Sequence, residues 1–188
     1  MKSPSGIFAK GNIMNSTLLA DKMAAAGARL LVAIALIGAA ALVAAADVDE
    51  SAVEIRNESI VRTAFDGWAA GRGNVFDLLA PDVRWTILGS GPVAGTYHGK
   101  EEFAQRASAP LVSRLATPIR PQVHHIWSVG DRVIVRFDGS AVTTSGAQYR
   151  NQFVWIFRMR DGLVTEAEAF LDLAAYQHVV ENNEPRRQ

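Results

Sequence analysis

The chain has 188 residues, 49% of them hydrophobic and 20% charged, with 19 Lys plus Arg balancing 19 Asp plus Glu. That neutral balance gives no electrostatic footprint for a polyanion, which argues against nucleic acid as a partner. There is no cysteine, which excludes disulfides, thiolate nucleophiles and thiolate metal sites.

Leu30 to Ala46 is almost wholly apolar, with Lys22 and Arg29 before it and the acidic run Asp47-Val48-Asp49-Glu50 after it. A basic flank, an apolar run and Ala44-Ala45-Ala46 in A-x-A form predict a secretory signal over residues 1–46, cleaved after Ala46. The mature protein is then periplasmic or secreted. The alternative is an uncleaved membrane anchor through residues 30–46, the only route to a membrane that the sequence offers. The basic region has ordinary signal proportions when counted from Met23 and is long when counted from Met1.

Residues 47–182 read as one domain, followed by a polar tail, 183–188, expected to be disordered. Val53, Ile60, Val61, Ala64, Phe65 and Trp68 recur at helical spacing, which predicts an amphipathic helix stopped by Gly71-Arg72-Gly73. A short helical turn over Val75 to Leu79 ends at Pro81. Val83 to Leu88 and Val93 to His98 are short strands around the turn Gly89-Ser90-Gly91-Pro92. Lys100-Glu101-Glu102 opens a second helix whose apolar face is Phe103, Ala107 and Leu111.

From Ile119 the period changes to two. Val123 to Val129, Arg132 to Thr144, Gln148 to Met159 and Leu163 to Leu171 are predicted strands. Gly130-Asp131, Ser145-Gly146 and Asp161-Gly162 are the hairpin signals between them. A last helix spans Leu173 to Glu181. Helices followed by a meander of antiparallel strands give an α+β fold, with a curved sheet wrapped around the helices and a cavity between the two.

Arg136 and Asp138 stand at i and i+2 of one strand and therefore share a face. Asp172 ends another strand. Gathered at one end of the cavity, the three would supply acid/base chemistry; the alternatives are a salt-bridge network at the sheet rim and, for Asp172, an N-cap of the final helix. Tyr149, Asn151, Phe153, Trp155 and Phe157 alternate on one face of a strand, with Trp85 and Phe170 able to join them. Tyr149 and Asn151 are the polar members, placed to orient a ligand oxygen. Of the neighbours His124 and His125 only one can face the cavity, and His124 is the candidate. Arg150, Gln152 and Arg158 fall on the opposite face with Val154 and Ile156, a surface fit for contact in a homodimer. No metal is predicted, because no His or carboxylate spacing resembles a metal site. No cofactor is predicted either, because no glycine loop is built for phosphate.

Pro81-Asp82-Val83-Arg84-Trp85, Gly95-Thr96-Tyr97-His98-Gly99-Lys100-Glu101-Glu102-Phe103, Tyr149-Arg150-Asn151-Gln152-Phe153-Val154-Trp155 and Asp161-Gly162-Leu163-Val164 through Phe170-Leu171-Asp172 together resemble the SnoaL-like branch of the NTF2-like superfamily. The resemblance spans about residues 51 to 180. It implies a cone-shaped α+β barrel with a deep hydrophobic pocket for a small hydrophobic molecule, frequently in a dimer. The superfamily includes polyketide cyclases, ketosteroid isomerases, limonene-epoxide hydrolases and non-catalytic binding modules, so the fold does not settle the function.

For ketosteroid isomerase the resemblance fails at the site. Thr86 stands at the position of the base and Trp155 at that of the oxyanion aspartate, and none of Tyr97, Tyr149 and Tyr176 is on the first helix. Limonene-epoxide hydrolase is matched by Arg136-Phe137-Asp138 and Asp172. That match implies Asp172 as the base for water, Arg136 as the bridge and Asp138 as the acid to the epoxide oxygen. Trp85 and Ile87 replace the Tyr and Asn that would position the water. A polyketide cyclase-like reading needs only one carboxylate in an apolar pocket, for which Asp172 is the candidate. The leading expectation is an exported domain that binds a small hydrophobic ligand, with cofactor-free acid/base chemistry, epoxide hydrolysis or pure binding as its possible uses.

Overall fold

The computed structural model describes residues 49–187. The segment 30–46 and the cleavage point after Ala46 lie outside the described residues. Helix α1 (49–69) buries Asn57, Val61 and Phe65 completely or nearly so. It ends where expected, because Gly71 takes φ +71°, a left-handed conformation that glycine adopts without steric penalty. A 3₁₀ turn, Val75–Leu78, is closed by a capping box. The Asn74 side chain accepts from the Phe76 N–H, and the Asp77 carboxylate accepts from the Asn74 N–H.

Six strands follow: β1 (Leu79–Ile87), β2 (Gly95–His98), β3 (Arg120–Val129), β4 (Arg132–Val142), β5 (Gln148–Arg160) and β6 (Leu163–Leu171). Helix α2 fills the interval after β2 as Lys100–Phe103, a π turn Ala104–Ser108, and Ala109–Val112. Pro110 deprives α2 of one backbone donor, and the helix widens just before it. Helix α3 is Leu173–Asn182. The sheet order is β2-β1-β6-β5-β4-β3. Every neighbouring pair is antiparallel except β1 with β6. The fold is therefore α+β, with a curved, mainly antiparallel sheet that stays open at β2 and β3 rather than closing into a barrel.

Strand limits differ from expectation at the prolines. Pro81 does not end a helical turn; it lies inside β1, where the register to β6 shifts between Leu79 and Arg84. A bulge tolerates the missing N–H. β3 begins at Arg120 and includes Pro121, which an edge strand permits. The Asp161-Gly162 hairpin has φ +52° and +81° at its two central residues, the signs a type I′ turn requires.

Alternation along β4 and β5 sets the layers. Val133, Val135, Phe137, Tyr149, Phe153, Trp155 and Phe157 are buried on the face that meets α1 and α2. Phe65 of α1 packs edge-on against Phe137 with ring centroids 5.0 Å apart. Residues 183–186 of the polar tail hydrogen-bond to the rest of the domain. The Asn183 carbonyl accepts from Arg114 at 2.9 Å, the Glu184 carbonyl from the Thr144 hydroxyl at 2.8 Å, and the Arg186 N–H donates to the Ser113 carbonyl at 2.8 Å.

Candidate ligand cavity

Between the inner face of the sheet and the helices lies a cavity of about 310 Å³. Its sheet wall is Trp85 and Ile87 from β1, Phe153 and Trp155 from β5, and Ala169 and Leu171 from β6. Phe103, Ala107 and Leu111, the apolar face read from sequence, form the wall contributed by α2, and α3 adds Tyr176. Aromatic rings dominate: Trp85 stacks on Phe103 at 4.2 Å and meets Trp155 edge-on at 5.1 Å. The Trp85 indole N–H is buried without a hydrogen-bond partner among the described residues. The polar groups in the wall are Asn74, Ser108, Thr117, Tyr176 and Arg186. Among the described residues no Asp, Glu or His lines the cavity.

Tyr176 is fixed rather than reactive. Its hydroxyl donates to the Ala107 carbonyl at 2.9 Å, tying α3 to the π turn of α2. Burial pushes its pKa up to about 12, so the phenol stays protonated at neutral pH.

The expected group of Arg136, Asp138 and Asp172 does not meet in this cavity. Val133, Val135 and Phe137 point inward, so the pleat turns Arg136 and Asp138 to the outer face. There Arg136 donates to Asp138 Oδ1 at 2.6 Å and His124 Nε2 lies 3.0 Å from Asp138 Oδ2. The Arg136 hydrogen bond, followed by that of His124, holds the Asp138 carboxyl below its usual pKa. This is the salt-bridge network, and it also corrects the placement of His124, which faces out rather than toward a ligand.

Asp172 is the N-cap of α3. Its Oδ1 accepts from the Ala174 and Ala175 N–H groups at 2.9 and 3.0 Å. Asp138 and Asp172 do share a polar surface cleft of about 660 Å³ with Arg120 and Arg150, on the opposite side of the sheet from the apolar cavity. Asp172→Ala should lower stability by about 1 kcal/mol, whereas Asp172→Asn, an equally good cap, should cost only a few tenths. Urea denaturation measures both, and equal losses would show that the carboxylate charge matters more than the cap.

Trp85 and Phe153 are in the cavity wall as expected. Tyr149 and Asn151 are buried but occupied with each other and with the chain. Asn151 Nδ2 donates to the Tyr149 hydroxyl and to the Asp172 carbonyl, both at 2.9 Å, while Asn151 Oδ1 accepts from the Asp172 N–H at 2.9 Å. Desolvation raises the Tyr149 pKa far above its usual value, so this phenol too remains neutral. Phe170 is a correction: it is 45% exposed on the outer face opposite Val154. Its neighbours Ala169 and Leu171 take the inward positions, so the period of two sends Phe170 out.

The outer face carries Trp127, Ile134 and Ile156 as one cross-strand row, with Val154 and Phe170 as another. Arg158 bonds Asp131 at 2.7 Å and Arg84 bonds Glu166 at 2.9 Å beside them. Among the described residues no cluster of three or more His, Cys, Asp or Glu is placed to hold a metal ion.

Comparison with known proteins agrees with this geometry. The profile of the SnoaL-like domain family matches residues 61–167. A structure from Jannaschia sp. CCS1, assigned as a SnoaL-like polyketide cyclase, superposes with a TM-score of 0.55 at 23% identity, covering 70% of this chain and 96% of that one. Bal32a, from a soil-derived mobile gene cassette, gives 0.56 at 18% identity over 68% of this chain and 98% of its own. TerC, co-crystallised with polyporic acid, gives 0.53 at 23% identity over 67% and 98%. No functionally curated protein matches the chain significantly. At these identities the structures establish a shared NTF2-like fold, and the profile match, which spans more than half of the sequence, shows that the chain belongs to the SnoaL-like domain family.

Proposed function

We propose that this domain binds a small hydrophobic molecule in the cavity between sheet and helices, and that its use there is binding rather than acid/base catalysis. The observation that supports this most is the composition of the wall: aromatic and aliphatic side chains, a few neutral polar groups, the single guanidinium of Arg186, and no carboxylate or imidazole among the described residues. A cavity of about 310 Å³ is at the lower end of the roughly 300–1,000 Å³ usual for ligand sites, which points to a compact, one- or two-ring ligand. TerC, which shares this fold, was co-crystallised with polyporic acid, which supports a small organic molecule as the ligand. A polyketide cyclase-like reaction would need a base that the wall does not supply. The hydrolase reading would need Asp138 and Asp172 on the cavity side of the sheet. The leader-like segment ending at Ala46 supports a role outside the cytoplasm.

Calorimetric titration with a panel of lipophilic ketones, epoxides and lactones tests the reading. At least one should bind with one-to-one stoichiometry, change the emission of Trp68, Trp85 and Trp155, and be recovered chemically unchanged. Absence of saturable binding across the panel would sink the proposal. Conversion of a bound compound would replace binding by catalysis.

A further inference from the structure

We propose that the ligand carries an anionic group, a carboxylate, phenolate or enolate, held at the cavity mouth by Arg186 on a C-terminal strap. This rests on the ligand-binding reading above and names the ligand class. Arg186 is the one charged residue among the described residues that line the cavity. It reaches that position because the chain beyond α3 is tied down at successive points. Asn183 Oδ1 accepts from the Ser145 hydroxyl at 2.7 Å, and the Asn183 carbonyl accepts from Arg114 at 2.9 Å. The Glu184 carbonyl accepts from Thr144 at 2.8 Å, and the Arg186 N–H closes the strap on Ser113 at 2.8 Å. Terminal residues without such ties fray; these are hydrogen-bonded across the end of α2.

The guanidinium itself is little used. Arg186 Nη2 donates to the Val112 carbonyl at 3.3 Å, leaving most of its five N–H donors available. Among the described residues no carboxylate lies within salt-bridge distance of it. Val112 and Ile119 line the same cavity. An anion seated there meets the exposed Arg186 guanidinium at the edge of an apolar wall. Arg114, the nearby cation, donates instead to the carbonyls of Pro110 and Asn183. The arrangement favours an apolar body inside and an acidic end at the mouth.

The test uses the full chain and a matched pair of probes, 2-naphthoate and 2-acetonaphthone, which share the ring system and differ in carboxylate against acetyl. At pH 7 and low salt the carboxylate should bind about fivefold more tightly than the ketone, the upper range of a solvent-exposed ion pair. Arg186→Gln should bring the ratio of the two dissociation constants close to one, and Arg186→Lys should restore part of it. Reading the ratio cancels any general loosening of the pocket. A ratio near one in the unmodified protein, or one that survives in R186Q, overturns the role of Arg186 while leaving the binding pocket standing. If neither probe binds, the pocket reading fails and this inference fails with it.

Discussion

Replacing Trp155 by alanine should destabilise the domain by about 3–5 kcal/mol, the usual cost of truncating a large buried aromatic side chain. Against a typical total of roughly 5–15 kcal/mol, that is a large share of what holds the fold. Trp155 is the residue through which the inner layer communicates. Its ring lies 4.8 Å from Phe137 of β4, 5.1 Å from Trp85 of β1 and 5.7 Å from Phe76 of the 3₁₀ turn. Trp68 of α1 stacks on it at 6.1 Å with an interplanar angle of 9°. Removing the indole strips contacts from four elements at once and merges the void with the existing cavity, which limits how far the walls can collapse. Trp127→Ala is the internal comparison. That side chain is 48% exposed on the outer face, so its loss should cost about 0.5 kcal/mol or less. Urea denaturation of the two variants separates the cases. Similar losses would mean that the inner aromatic cluster is not the source of stability.

The alternation that buries Trp155 was readable, because period two over β4 and β5 has one consistent solution once a face is apolar. Helical spacing in the same way placed Phe103, Ala107 and Leu111 together on α2. Pro81 looks like a breaker in the sequence, and only the bulge in β1 shows why the backbone can spare its N–H group; β3 likewise starts earlier than expected, with Pro121 accommodated on an edge strand. The site was harder to read. That Arg136 and Asp138 share a face followed from the sequence, but which face did not. Phe137 between them, one of the largest fully buried side chains, decides it, and its apolar character was the available signal. Arg186 left no signal in the sequence, since a basic residue in a polar tail has no periodicity. It reaches the cavity through tail hydrogen bonds made by residues as far away as Arg114 and Thr144.

Asn151→Leu should cost about 2–4 kcal/mol although it keeps the size of the side chain and places a more hydrophobic residue in a buried position. Asn151 is 4% exposed, and its carboxamide acts as a piece of backbone. It gives an acceptor to the Asp172 N–H and a donor to the Asp172 carbonyl, extending the β5–β6 ladder one residue past Leu171. Its second amide hydrogen meets the Tyr149 hydroxyl. Leucine leaves these groups without partners, and each buried orphan costs about 1–3 kcal/mol, with water recovering part where Asp172 is reachable. The gain from burying extra apolar surface, about 1 kcal/mol for one or two methyl groups, does not offset that. The consequence is local as well as global. Asp172 begins α3, so freeing its backbone should speed amide hydrogen exchange in residues 173–182 and loosen Tyr176 in the cavity wall. A cost below about 1 kcal/mol, with exchange in α3 unchanged, would show that this corner is held by packing rather than by the carboxamide.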